Sequence, residues 1–493
     1  MQDPFFATTT GKRKRSKPAK SAPKTTKAVQ KRARKDEAEE SEISDDNSDV
    51  GSIDEVETSE PESEEEIQET AAEKRVRLAK AYLDKVQAGL EEDLGGFDAA
   101  DLDRDLIAER LKKDEDELAG RLHRRVADKF KLSEIDETKI YSRKGHQLPV
   151  TAVALSDNGT VLYTASKDGS IIQWDIRNVQ DIKRLHTFPG GRKGVEDYIG
   201  HTQDVLCLAL STDNQYLVSG GKDKIINVWS VADNKHITTF RHHKDAISGL
   251  AFRKGHNQLY SASWDRTIKV WNIDERAYVE TLFGHQDQIM DIDTLGRERC
   301  VSVGGRDKTA RLWKIPEESQ LVYRGGAKSK TKTEDGKPAF IEGSLDCIAQ
   351  IEEKLFLTGG DSGSISLWDN QRKKPVFTYN EAHGTFTNGS EYSLQTEAAY
   401  PITALASLRY SDLFVSGSHD GYVRFWKISS DNKQFEPIGS IPVQGFINSL
   451  EIKTVFPSNR TLLIVGVGQE PRYGRWMRLK KAKNCIKVIE LPH

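Results

Sequence analysis

Six segments of the chain end in an aligned tryptophan, and five of them carry an aspartate six residues earlier. They read SKDGSIIQWD, GKDKIINVWS, SWDRTIKVWN, GRDKTARLWK, DSGSISLWD and SHDGYVRFWK, with Trp174, Trp229, Trp271, Trp313, Trp368 and Trp426. The aspartates are Asp168, Asp223, Asp265, Asp307 and Asp420; in the fifth segment Ser362 takes that place and Asp361 precedes it. Upstream stand Gly145-His146, Gly200-His201, His242-His243, Gly284-His285 and Ala382-His383. A unit repeated at this length cannot bury its apolar face alone, so neighbouring units must stack on one another.

Each unit has an alternating strand after the histidine (VTAVALS, VLCLALS, AISGLAF), a second strand, the aspartate turn, and a third strand that ends in tryptophan. Four short strands make one blade of a propeller. The spacing of Gly-His, Asp and Trp resembles the WD40 repeat from about residue 140 to 493. That resemblance implies an all-β fold, a seven-bladed WD40 β-propeller. The aspartate can accept bonds from the turn backbone and from the histidine. Thr164, Ser219, Ser261, Thr358 and Ser416 on the second strands can join them, and the tryptophan supplies apolar area and an indole donor. His146, His201 and His285, with the aspartates and tryptophans, therefore read as structural; of His242 and His243, one is a repeat histidine beside a surface one.

A seventh unit is degenerate. GFINSLEI, LLIVGVG and CIKVIEL supply three strands without the Gly-His or the tryptophan. Its missing fourth strand is expected from residues 139–142, which would close the ring and remove its exposed edges.

Successive tryptophans are 55, 42, 42, 55 and 58 residues apart, so the longer intervals hold insertions. They fall at residues 189–200, 324–343 and 381–400, between blades, and at 467–484, between the second and third strands of blade seven. Loops of these two kinds open on the same face of a propeller, and insertions gathered on one face mark a binding surface. The blade-seven insertion, GVGQEPRYGRWMRLKKAKN, carries Arg472, Arg475, Arg478, Lys480, Lys481 and Lys483, with no acid between Pro471 and Lys483 and with Tyr473 and Trp476 interleaved. Cations neutralise phosphates and aromatic rings stack on unpaired bases, so this run is the first candidate for RNA contact. Arg192, Lys193, Lys328, Lys330 and Lys332 in the other insertions are weaker candidates. The alternative for the blade-seven run is a surface hairpin whose tryptophan packs on the blade.

The net charge of -3 hides segregation. Residues 1–35 carry 12 Lys and Arg against one acid, and residues 36–69 carry 17 Asp and Glu with no Lys or Arg. Neither stretch has enough apolar surface to offset the entropy of ordering, so both are expected to be disordered. Lys12-Arg13-Lys14-Arg15 and Lys31-Arg32 with Arg34-Lys35 read as a nuclear import signal. Ser52, Ser59 and Ser63, each with an acid three residues later, are open to acid-directed phosphorylation or belong to a passive spacer. Residues 70–138 are expected to form a helical arm. Thr70 and Glu73 make a capping box, apolar residues recur at helical spacing to Leu90, and a second helix from Asp98 carries Leu102 to Val126 and Phe130 along one side. The propeller is assigned to 139–493. No run approaches roughly 18 apolar residues, so no membrane span is expected. Neither a secretory leader nor a disulfide framework is expected, since Cys207, Cys300, Cys347 and Cys485 lie far apart. With no Gly-rich phosphate loop, metal-spaced His/Cys cluster or activated nucleophile, the chain reads as no enzyme, without metal or cofactor.

GFINSL at 445–450, GVGQEPRYGRW at 466–476, EKRVRLAKAYLDKV at 73–86 and RVADKF at 125–130 resemble the WD-repeat subunits of the U3 small nucleolar ribonucleoprotein. The resemblance covers roughly residues 70–493 and matches the tail in character. It implies a nuclear, nucleolar RNA-binding subunit that recognises the box B/C element of U3 RNA beside a kink-turn-binding protein. It also implies box C/D core proteins including fibrillarin as companions, and pre-rRNA cleavages leading to 18S rRNA within the small-subunit processome. Arg472, Arg475, Trp476, Arg478 and Lys480 carry this expectation by their place in the motif. Two other readings compete: a cullin-type ubiquitin ligase receptor, from Trp174-Asp175-Ile176-Arg177, and a chromatin-binding platform.

Overall fold

The computed structural model describes residues 77, 80, 123–132, 139–191, 199–324, 343–388, 396–455 and 459–492. The chain separates into a unit Met1–Lys80, in which Arg77 and Lys80 are helical, and a unit Ala81–His493 that holds every described strand. Alternation of apolar residues produces strands such as Val150–Leu155, Val205–Leu210 and Ile247–Phe252, each buried along its length. Each pairs with the next strand in sequence, and that with the next, into a four-stranded antiparallel sheet. Seven such sheets form the seven-bladed propeller expected from the repeats.

The ring closes as the sequence predicts. Phe446–Val455, Arg460–Gly468 and Cys485–Leu491 make three strands of blade seven, and Ile140–Arg143 adds the fourth. Ile140 lies opposite Ile489 and Arg143 opposite Ile486. The core sits between neighbouring blades: Cys207, Val218 and Val228 of blade two pack with Ile247, Leu250 and Trp271 of blade three. Glycine permits a close approach in blade seven, where a Cβ on Gly468 would lie 2.6 Å from the Pro149 side chain and 2.7 Å from Asn448 Nδ2.

The repeat residues form hydrogen-bonded chains. In blade two, Trp229 Nε1 donates to Ser219 Oγ (3.0 Å), His201 Nε2 lies 2.7 Å from the same hydroxyl, and His201 Nδ1 lies 3.0 Å from Asp223. Blades one, three and six repeat this with Thr164, Ser261 and Ser416, and His243 is the repeat histidine of blade three. In blade one the link from His146 to Asp168 is longer (3.4 Å), and Ser170 Oγ bridges the two. Blade four also has the chain, through Ser302, which stands 11 residues before Trp313 instead of 10. The sequence reading passed over Ser302 for that reason. Blade five keeps only Trp368 to Thr358 (2.8 Å), and its turn is held by Ser362 with Ser364. In blade six, His383 and Asp420 are 37 residues apart against 22 elsewhere, because the insertion lies after the histidine and folds as the hairpin Thr385–Asn388 with Thr396–Ala399.

Most of the arm lies outside the described residues. Where the chain is described again, Val126 and Phe130 do not continue a helix: Arg124 bridges Ser411, and Ala127–Lys129 make a single 3-10 turn. Asp412 accepts the backbone N–H groups of Val126 and Ala127 (2.8 and 3.0 Å), while Ala127 and Phe130 pack on Leu413 and Val415 of blade six. Val126 and Phe130 both pack on one apolar cluster of blades six and seven, which a short strap achieves without a helix.

Candidate nucleic-acid interface

Six of the seven inner strands carry a register shift near their start; in blades two, three and four it falls at Leu206, Ser248 and Met290. A bulge leaves its extra residue out of the ladder, so its carbonyl needs another donor. The blade-seven insertion supplies donors at the propeller axis. Arg472 Nε donates to Leu206 O (2.9 Å) and Nη2 to Ser248 O (2.5 Å), and the Tyr473 hydroxyl lies 2.9 Å from Met290 O and 3.3 Å from Ser248 O. Asp291 lies beside this plug. Burial pushes its carboxyl up to about 6, and the Arg472 charge opposes that rise. Arg472 also lines a cavity of about 770 Å³ whose charged lining includes Asp157, Lys254, Arg409 and Lys453.

With its root at the axis, the rest of the insertion is held on the face around it. Gly474 turns the chain at φ +79°, and its carbonyl accepts Lys167 Nζ of blade one at 2.8 Å. Gln469 receives Leu479 N and donates from Nε2 to Ala482 O, closing the loop on itself. Arg475 and Arg478 reach the same carboxylate, Glu470, at 3.4 and 3.9 Å, yet each side chain stays about two-thirds exposed, at 66% and 64%. Trp476 is 61% exposed. Lys480, Lys481 and Lys483 face solvent, while Ala482 between them is buried. One carboxylate shared by two guanidiniums leaves the face cationic.

The eight residues picked from this run thus divide. Arg472 and Tyr473 turn inward and use their polar groups on inner-strand carbonyls. Arg475, Trp476, Arg478, Lys480, Lys481 and Lys483 stand outward together. Arg192, Lys193, Lys328, Lys330, Lys332 and the import clusters Lys12 to Arg15 and Lys31 to Lys35 lie outside the described residues. Sequence reasoning missed Lys167, Trp264 and His419, each placed immediately before the repeat aspartate or its equivalent turn. That position lies on the loop-bearing face: Trp264 contacts Tyr473 (5.7 Å between ring centroids), and His419 contacts Trp476 (6.1 Å). The position is readable from the repeat once the turn is known to open on that face. Among the described residues no group of three or more His, Cys, Asp and Glu could hold a metal, and no helix is long and apolar enough to cross a membrane.

The family model described as WD domain, G-beta repeat matches residues 137–175, 192–230, 234–272, 276–314 and 391–427. The chain is 45% identical over 426 residues to human U3 small nucleolar RNA-interacting protein 2, covering 86% of this chain and 83% of that protein. It is 31% identical to Saccharomyces cerevisiae ribosomal RNA-processing protein 9, covering 86% and 90%. Two solved structures superpose on it at 41% identity: one described as the structure of U3-55K (TM-score 0.64, 73% of this chain and 99% of that one) and one as the crystal structure of RRP9 WD40 repeats (0.63, 72% and 98%).

Proposed function

Since the chain belongs to the family of U3 small nucleolar RNA-interacting protein 2 and ribosomal RNA-processing protein 9, we propose that it is a non-enzymatic RNA-binding subunit of the U3 small nucleolar ribonucleoprotein. It recognises the box B/C element together with a kink-turn-binding protein, beside the box C/D proteins including fibrillarin. It acts in the nucleolus within the small-subunit processome, in the pre-rRNA cleavages that lead to 18S rRNA. The relatives' names support the particle. The observation that carries the contact is the outward cluster of Arg475, Trp476, Arg478 and the three lysines on the face that bears the insertions. Cations supply affinity through phosphates, and the RNA's shape with its companion protein supplies selectivity.

Binding of the full-length protein to box B/C RNA carrying a kink-turn-binding protein tests this. With Arg475→Ser and Arg478→Ser together, affinity falls about tenfold or more. The slope of log K against log salt becomes shallower by about 1 to 2, because each lost phosphate contact removes about 0.7–0.9. A folded double variant with unchanged affinity and slope refutes the site.

A further inference from the structure

Trp476 stands on other rings. It meets Phe446 at 5.7 Å and His419 at 6.1 Å, edge-on to both (83° and 81°). His419 in turn stacks on Phe446 at 4.9 Å and touches Tyr400 at 5.0 Å and Phe386 at 5.5 Å. Phe386 and Tyr400 come from the blade-six insertion, so two insertions meet over one histidine. His419 is 7% exposed, and neither of its ring nitrogens has a hydrogen-bond partner.

That is an odd residue for the place. Rings surround it, and a phenylalanine there would leave nothing unpaired. Unsatisfied buried polar groups are rare and costly, and each one in a folded protein calls for a reason. Burial pushes the imidazole below its ordinary range, opposed by the neighbouring Asp420 carboxylate, so the ring is neutral. A neutral imidazole offers one donor and one acceptor. An exposed tryptophan above it, with Arg475 and Arg478 nearby on the same loop, adds a stacking surface and two cations for phosphate.

We propose that Trp476 and His419 form a receptor for a single unstacked RNA base. The base stacks on the Trp476 indole. Its polar edge pairs with the His419 nitrogens, which rotation of the Trp476 side chain uncovers. Arg475 and Arg478 take the phosphates on either side. This rests on the reading that the loop-bearing face binds RNA, and it adds what that face selects: an extruded nucleotide over a continuous duplex.

The test uses full-length protein and two RNAs, a short duplex with one bulged nucleotide (each of the four in turn) and the same duplex fully paired. The wild type prefers at least one bulged duplex by about tenfold, the scale of a base stacked on an aromatic side chain. Tryptophan emission is quenched on binding it, and Trp476→Phe loses the quenching but keeps most of the preference. His419→Phe raises the melting temperature, since it removes two unpaired groups, and erases the preference without weakening binding to the paired duplex. A more stable His419→Phe protein that keeps the preference, or a Trp476→Ala protein that keeps it, overturns the receptor while leaving the RNA-binding face intact. If both duplexes bind the Arg475→Ser, Arg478→Ser protein as they bind the wild type, the face itself is misassigned and the receptor falls with it.

Discussion

Tyr473 places its phenolic oxygen 2.9 Å from the carbonyl oxygen of Met290, the bulged residue of the blade-four inner strand. Arg472 does the same for the bulged residues of blades two and three. A single dipeptide thus closes the axis by satisfying carbonyls that the ladders leave over, and presents the cationic part of its loop outside.

Arg472→Ala therefore costs stability, and Arg475→Ala does not. Removing the Arg472 guanidinium strands the Leu206 carbonyl, leaves Ser248 O with only the longer bond from Tyr473 (3.3 Å), and takes from Asp291 the charge that opposes its burial. An unpaired buried carbonyl costs about 1–3 kcal/mol, and the lost charge beside Asp291 adds to it. Arg475 is exposed and its pair with Glu470 is weak, so its removal changes stability by less than about 0.5 kcal/mol. Urea denaturation of the two variants reads the difference; equal midpoints would contradict the plug.

Ser302→Ala is expected to destabilise the ring more than Thr358→Ala. Ser302 serves both the Trp313 indole and His285, whereas Thr358 serves only the Trp368 indole. At about 1–3 kcal/mol for each buried group left unpaired, the first loses two partners and the second one. Thermal melts of the pair check the order.

Much of the fold is legible in the sequence because blade geometry sets the distance from aspartate to tryptophan. Trp174 to Trp426 could be aligned without knowing any contact. Ser302 could not, because its strand is offset by one residue and a fixed count lands on Val303. The plug was unreadable for another reason: Arg472 and Tyr473 meet carbonyls of three blades, 183 to 266 residues away. Composition records that a loop is basic and not which of its cations turn inward. His419 was hidden likewise, since its isolation arises from two insertions whose meeting no local pattern encodes.

Deleting residues through 143 is expected to do far more damage than deleting residues through 122. The first removes Ile140–Arg143 and leaves Cys485–Leu491 with an open edge, along with the strap that covers Leu413 and Val415 through Ala127 and Phe130. The second leaves both in place. The shorter deletion melts within a few degrees of the full chain, and the longer one aggregates or melts at least about 10 °C lower, since an unpaired edge recruits other strands. Equal melting temperatures would mean that another segment closes the ring.

Acid weakens the propeller in a definite order. In blades three and four the histidine lies between the aspartate at Nδ1 and, at Nε2, the hydroxyl that the tryptophan also uses. Burial holds His243 and His285 below their ordinary range despite the partner aspartates. Their contribution is complete above about pH 6.5 and is lost as pH falls through the lower folded value. Asp168 resists its own burial through His146 and Ser170 and is held down to about 2, so its contribution is complete above about pH 4 and is lost as pH falls towards 2. Asp307 and Asp420 are lowered for the same reason, by His285 and His383 against their burial. Asp291 and Asp346 work the other way. Burial raises both to about 6, so protonation below that value relieves them. Between pH 6 and 4 the histidine loss and this relief oppose each other, and the steep fall in melting temperature lies below pH 4. Melting curves from pH 8 to 3 show it, and Asp168→Asn flattens the acid branch by about 2 kcal/mol of pH-dependent stability. An acid branch of the same depth in Asp168→Asn would mean that His146 and Asp168 are not coupled as their geometry indicates.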